Sequence, residues 1–172
     1  MSRAQKMDIL LSSIFVLIFA SLEVGVISRI PLENGMADIM LLFVITWSLN
    51  PQAKRYYIPA LLAAGVMTFI SSVPIPGILM SYALAAGLTR LLVNRLWEMP
   101  VFSMLIVTIV ATMLQHVIYI LIMQFQGSAV PFLTSLREIT LPSIFLNIIF
   151  SFPVFLLVRD AQKAVFKEVE NE

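Results

Sequence analysis

The sequence predicts an all-α polytopic membrane protein, with six transmembrane helices in a single domain spanning 1–172 and both termini in the cytoplasm. Three observations carry this expectation. Of the 172 residues, 60% are hydrophobic and 12% charged, against about 25% charged in a soluble domain. So small a supply of charge cannot cover a water-exposed surface, which argues against a soluble enzyme or a nucleic-acid binder. The apolar residues also fall in continuous runs rather than in the alternating pattern of a barrel strand. Finally, the basic residues divide unevenly between the two sides that these runs define.

A span needs about 20 mostly apolar residues, because the hydrocarbon core is about 30 Å thick and a helix rises about 1.5 Å per residue. The first run covers 9–27 and is interrupted only by Glu23. The second, 37–49, is short and is followed by Pro51. The third covers 56–73. Val73-Pro74-Ile75-Pro76-Gly77 then separates it from the fourth, 78–93, also short. Trp97-Glu98-Met99-Pro100 precedes the fifth and longest, 101–125, which Gly127-Ser128 ends. The sixth covers 139–158 and leads into a charged tail, 159–172, read as a cytoplasmic extension of the same helix.

With the N-terminus inside, the cytoplasmic side holds Arg3, Lys6, Lys54, Arg55, Arg90, Arg95, Arg159, Lys163 and Lys167, and the other side only Arg29 and Arg137. Adding or dropping a span would scramble this asymmetry. Tyr56, Tyr57 and Trp97 fall near the inner boundary, where amphipathic aromatics favour the headgroup level. Arg3 and Lys6 before an apolar stretch also fit a signal peptide, but no small-x-small cleavage site follows, so the segment reads as a retained first helix.

Chemistry-bearing residues are few. The chain has 0 cysteines and 1 histidine, which excludes disulfides, thiolate sites and multi-histidine metal centres. No hydrolase, P-loop or dinucleotide motif is present, and no pair of acids lies within one span. The sequence therefore implies no catalytic residue, no cofactor and no metal. Glu23 could be a proton or cation site; its place toward the outer end of the first run favours an interfacial carboxylate that reaches outer water and pairs with Arg29. His116 shares a helix face with Tyr119 and reads as an interhelical hydrogen-bonding residue, with a proton relay as the sharper alternative. Asn147 in the sixth run must likewise find a partner, on a neighbouring helix or at the carbonyl that Pro153 frees near Ile149. Asp38 should flank the outer N-terminus of the second helix, where a carboxylate meets the positive helix end.

Small residues recur at four-residue spacing, as Ser21 and Gly25, Ala60 and Ala64, Ser81 and Ala85, and Ala83 and Gly87. They suit close helix packing, within the bundle or against a partner's helix. In 131–140, Phe132, Leu133, Leu136 and Ile139 recur at helical spacing around Arg137 and Glu138. That pattern predicts a short amphipathic helix on the outer interface, and Phe132, Leu136, Arg137 and Glu138 are the candidate contact with a partner.

The sixth run, Leu141-Pro142-Ser143-Ile144-Phe145-Leu146-Asn147-Ile148-Ile149-Phe150-Ser151-Phe152-Pro153 with Arg159 beyond it, resembles the C-terminal signature of the MreD family of bacterial rod-shape-determining membrane proteins. The match falls on Pro142, Leu146, Asn147 and Pro153. Ala37-Asp38-Ile39-Met40-Leu41-Leu42 resembles the family's aspartate and apolar run at the second span, and Pro76-Gly77-Ile78 through Arg90, with Arg95, resembles its fourth. Two departures stand beside these: Ala37 replaces the usual proline before Asp38, and Met67 to Ser72 carries no acid. The resemblance implies a non-enzymatic scaffold of the cell-elongation machinery in the bacterial plasma membrane, surrounded by membrane lipids. It would bind an MreC-like single-span protein within a complex associated with MreB. Peptidoglycan synthases would be organised indirectly, and no nucleic acid is involved. The resemblance also implies a fold similar to the substrate-binding subunits of energy-coupling-factor vitamin transporters, and such a subunit is the alternative function.

Overall fold

The computed structural model describes residues 3–93, 100–128 and 130–170, with side chains over 7–93, 100–128 and 130–164. Arg95 and Trp97 lie outside the described residues, as do the side chains of Arg3, Lys6 and Lys167. The regular elements of the described chain are all helices: α1 Arg3–Gly25, α2 Ile39–Leu49, α3 Tyr57–Ile70, α4 Ile75–Val93, α5 Pro100–Phe125, α6 Phe132–Ser135 and α7 Leu141–Glu170. A single 3-10 turn, Ile27–Arg29, follows α1, and a π-helical turn, Leu136–Thr140, joins α6 to α7. Four segments are long and apolar enough to cross a membrane: Met7–Arg29, Ile75–Val93, Pro100–Phe125 and Phe132–Ala164. The other two apolar helices are shorter, with 11 residues in α2 and 14 in α3.

The shortest of these six is the centre of the molecule. Every residue of α2 is buried, and α2 packs against α1, α3, α4, α5 and α7. A helix that is apolar on all sides has no face to offer to water and belongs inside; Ile39-Met40-Leu41-Leu42-Phe43-Val44-Ile45 is such a sequence. Phe43 and Trp47 anchor it to α1, where Phe15 lies 6.1 Å and 6.2 Å from their rings and Phe19 lies 5.4 Å from Phe43. The surrounding helices turn apolar residues outward as well. Leu10 and Leu17 are each 63% exposed, Leu91 71% and Leu157 61%. A surface of that kind suits lipid and would be a liability in water.

Element ends follow the local chemistry. The break assigned to Pro74–Gly77 is shorter than the sequence suggests, because α4 begins at Ile75 and takes Pro76 and Gly77 into its first turn. Proline is accepted there because first-turn N–H groups have no intrahelical partner to lose. At the other end of α5, Gly127 adopts φ 86°; its N–H donates to the Gln124 carbonyl at 3.0 Å and that of Ser128 to Met123 at 3.0 Å, the αL ending that glycine favours. The segment 131–140 is not a separate surface helix. It runs through the π-turn straight into α7, with Ser135 and Thr140 turned inward and Phe132, Leu133, Arg137, Glu138 and Ile139 exposed.

Candidate functional site

The functional candidate is built around the two ends of α2. Its N-terminus points into a knot of polar side chains drawn from α1, α4, α5 and α7. The first amide groups of a helix have no partner within it, and here two carboxylates supply them. Oδ1 of Asp38, the N-cap, accepts from the Leu41 N–H at 2.7 Å. Glu23 Oε2, from α1, accepts from Ile39 N–H at 2.9 Å and Met40 N–H at 3.4 Å. Glu23 is therefore 9% exposed and turned into the bundle, not reaching for outer water, and it forms no ion pair with Arg29 among the described residues. Two adjacent N–H groups at a positive helix end are a better partner for this carboxylate than one exposed guanidinium.

Asp38 is held from further sides. The Tyr82 hydroxyl lies 3.0 Å and 3.1 Å from its two oxygens, and Gln115 Nε2 donates to Oδ2 at 2.6 Å and to the Tyr119 hydroxyl at 3.0 Å. The Asp38 N–H donates to Asn147 Oδ1 at 2.8 Å, and Asn147 Nδ2 donates to Thr112 Oγ1 at 2.9 Å. Asn147, 1% exposed, thus links α7 to α5 and to the strap before α2; neither bond involves the Ile149 carbonyl near Pro153. One turn earlier on α7, Ser143 Oγ accepts from the Met36 N–H at 3.0 Å. Gly35 lies so close to α7 that an added Cβ would fall 2.6 Å from Pro142 Cβ and 2.7 Å from the Ser143 nitrogen. Pro142, Ser143 and Asn147 therefore form one face on which the strap Gly35–Asp38 lies.

His116 sits beside this knot without joining it. Its Nδ1 is 3.0 Å from Thr140 Oγ1 in the π-turn, and its ring lies 6.5 Å from that of Tyr119. A cavity of about 170 Å³ opens there, lined by His116, Tyr119, Ser135, Thr140 and apolar neighbours including Met123 and Ile139. Phe132, Leu136, Arg137 and Glu138 do not line it; Leu136 is half-buried and the other three are exposed. Pro153 is an exposed position inside α7.

The C-terminus of α2 is gripped by a cation. Arg90 of α4 donates through Nη1 to the Asn50 carbonyl and through Nη2 to the Pro51 carbonyl, each at 3.0 Å, and its guanidinium lies 5.4 Å from the centre of the Tyr56 ring. Gln162 Nε2 of α7 reaches the Trp47 carbonyl at 3.4 Å. Anionic groups at the N-terminus and a cation at the C-terminus both match the helix macrodipole.

Two associations were not read from the sequence: Glu23 with the start of α2, and Arg90 with its end. The available signals were Glu23 as the one carboxylate inside an apolar run, and Arg90 at the end of another. The arrangement can fasten helices together. The Asp38 oxygens are engaged by the Leu41 N–H, the Tyr82 hydroxyl and Gln115 Nε2. No group of three or more metal-binding side chains occurs among the described residues. No family model, curated protein or solved structure matches the chain.

Proposed function

We propose that this chain is a non-enzymatic membrane scaffold of the MreD type, a six-span protein of the bacterial plasma membrane with both termini inside. In that arrangement α2 and α3 are the two short spans, α2 shielded on all sides by its neighbours and α3 on one face, and the polar knot lies toward the outer face. The scaffold would bind an MreC-like single-span partner and help to organise peptidoglycan synthesis. One observation carries the reading: the polar residues around the start of α2 bind one another across helices instead of surrounding a substrate-sized space. Asp38, Tyr82, Gln115, Thr112 and Asn147 form a web of hydrogen bonds that ties α2 to α4, α5 and α7. The segment that carries the resemblance, Leu141–Pro153, meets one of the two looser ones, Ala37–Leu42, in this web, through Asn147 and Asp38. A rigid bundle with an apolar exterior is what a partner's transmembrane helix needs to dock against.

The second reading, a vitamin-binding subunit of an energy-coupling-factor transporter, draws its support from the cavity beside His116 and Tyr119. At about 170 Å³ it is smaller than the roughly 300–1,000 Å³ of typical small-molecule sites, so the scaffold ranks first. Deletion in a rod-shaped host decides between them. Rounded cells, rescued by the intact gene and less well by charge-reversed Arg137 and Glu138, together with copurification of a bitopic coiled-coil protein, are the expected result. Normal rods with impaired vitamin uptake and a copurifying ATPase complex would replace the scaffold with the transporter.

A further inference from the structure

A second cavity, of about 220 Å³, opens at the opposite end of the bundle from the carboxylates. Its walls come from the last turn of α2 and the loop after it, from Pro100 at the start of α5, and from one face of α7. On α7, Phe155, Arg159, Gln162 and Lys163 follow one another at helical spacing and all border it. The floor is apolar, with Leu49, Pro100 and Phe155; Phe155 is 4% exposed and the Arg159 guanidinium lies 5.4 Å from the centre of its ring. The rim carries two cations. Lys163 is exposed. Arg159 pairs with its neighbour Asp160 at 3.1 Å, with side chains 40% and 64% exposed, an exposed pair of the kind that contributes little and is readily exchanged.

A buried polar group lies beside the same space. Thr46 borders the cavity and is 3% exposed, yet its Oγ1 has no hydrogen-bond partner. Buried hydroxyls ordinarily have partners, so this one marks an unmet polar demand in the wall of the cavity. Of the carbonyls at and just after the end of α2, those of Asn50 and Pro51 are engaged by Arg90 and that of Trp47 by Gln162.

We propose that this cavity binds an anionic glycerophospholipid, with its phosphate between Arg159 and Lys163, its glycerol region beside Thr46 and an acyl chain against Leu49, Pro100 and Phe155. The chemistry is that of basic pockets between transmembrane helices that take lipid phosphates at the cytoplasmic side. Assignment to the inner leaflet rests on the topology proposed above; recognition of the lipid does not.

The test uses the full chain in mild detergent, titrated with palmitoyl-oleoyl phosphatidylglycerol or with the phosphatidylcholine of the same acyl chains, and bound lipid is counted by native mass spectrometry. Wild type should prefer phosphatidylglycerol. Each cation near the surface accounts for about a fivefold effect, so Lys163→Gln should weaken phosphatidylglycerol about fivefold and the double variant Arg159→Gln, Lys163→Gln about thirtyfold. Lys54→Gln with Arg55→Gln, elsewhere on the same end, should leave it unchanged. Equal retention of the two lipids would overturn the proposal. So would equal losses from the Lys54 and Arg55 variant, which would signify a general surface potential, or full competition by inorganic phosphate alone, which would signify a free-anion site. Lys163 is exposed, so its single variant keeps the fold and decides the question even if the double variant does not. A failed lipid preference leaves the shape phenotype untouched, and a failed shape phenotype leaves the lipid preference untouched.

Discussion

Asn147 and Gly35 show how single residues set the packing at the carboxylate end. Asn147 satisfies a backbone N–H and a threonine hydroxyl at once. Replacing it with leucine strands both, and each such bond contributes about 0.5–1.5 kcal/mol. Asn147→Leu should therefore lower stability by about 1–2 kcal/mol, read as an earlier unfolding midpoint when the purified chain is titrated with SDS. Gly35→Ala should cost more than that. Its new Cβ meets Ser143 nitrogen at 2.7 Å and the Ile139 carbonyl at 2.9 Å, and backbone atoms cannot swing aside as a flexible side chain can. Gly87→Ala is the control, because nothing lies within 4 Å of its added Cβ. It should be neutral, or stabilising by up to about 1 kcal/mol through helix propensity. Equal effects at the two glycines would contradict the close approach of the strap to α7. The need for a partner at Asn147 was legible in the sequence, since an amide in an apolar run must find one. The identity of that partner was not, because Asp38 and Thr112 lie 109 and 35 residues away along the chain.

At the scale of the element, α2 is the piece whose place depends on other helices. Eleven residues give only about 16 Å of helix, too little to cover a hydrocarbon core of about 30 Å. Its exposed backbone ends must therefore be satisfied inside the protein, by Glu23 and Asp38 at one end and Arg90 at the other. The clamp at Arg90 is a planar fork on two carbonyls, a geometry that lysine's single ammonium does not reproduce. Arg90→Lys should lose part of the stabilisation and Arg90→Leu all of it, with hydrogen bonds to a charged group contributing about 1.5–3 kcal/mol. Hydrogen exchange read at the amides of Trp47 to Ala53 should rise in the same order. Uniform protection across the series would show that the clamp does not hold the end of α2. The sequence located this helix as a short run and marked Asp38 at its start; that the run is the hub of the bundle was written in its all-round apolar character, which periodicity alone does not distinguish from a lipid-facing span. The tertiary contacts that bring Glu23 and Arg90 to it have no local signature.

For the whole molecule, the helical class followed from the long apolar runs, and four of those runs are long enough to cross a membrane by themselves. Whether α2 and α3 complete six crossings depends on the charge asymmetry, because helix length is insufficient for either. Polar groups separate along the bundle in a consistent way. Glu23, Asp38 and Asn147 gather at one end of α2, while Arg90, Arg159 and Lys163 gather at the other. In the six-span arrangement proposed above, nine basic residues fall on one side and two on the other, and the positive-inside rule would put the basic end in the cytoplasm. Reporter fusions at Ser128 and at Glu172 should then give opposite readings, extracytoplasmic at Ser128 and cytoplasmic at Glu172. A third fusion after Gln52, between α2 and α3, tests the short helices directly. It should read cytoplasmic if α1 and α2 both cross. An extracytoplasmic signal at Gln52 with a cytoplasmic one at Glu172 would mean that α2 enters the bundle without crossing, and the six-span arrangement would fall even though the two terminal readings agreed with it.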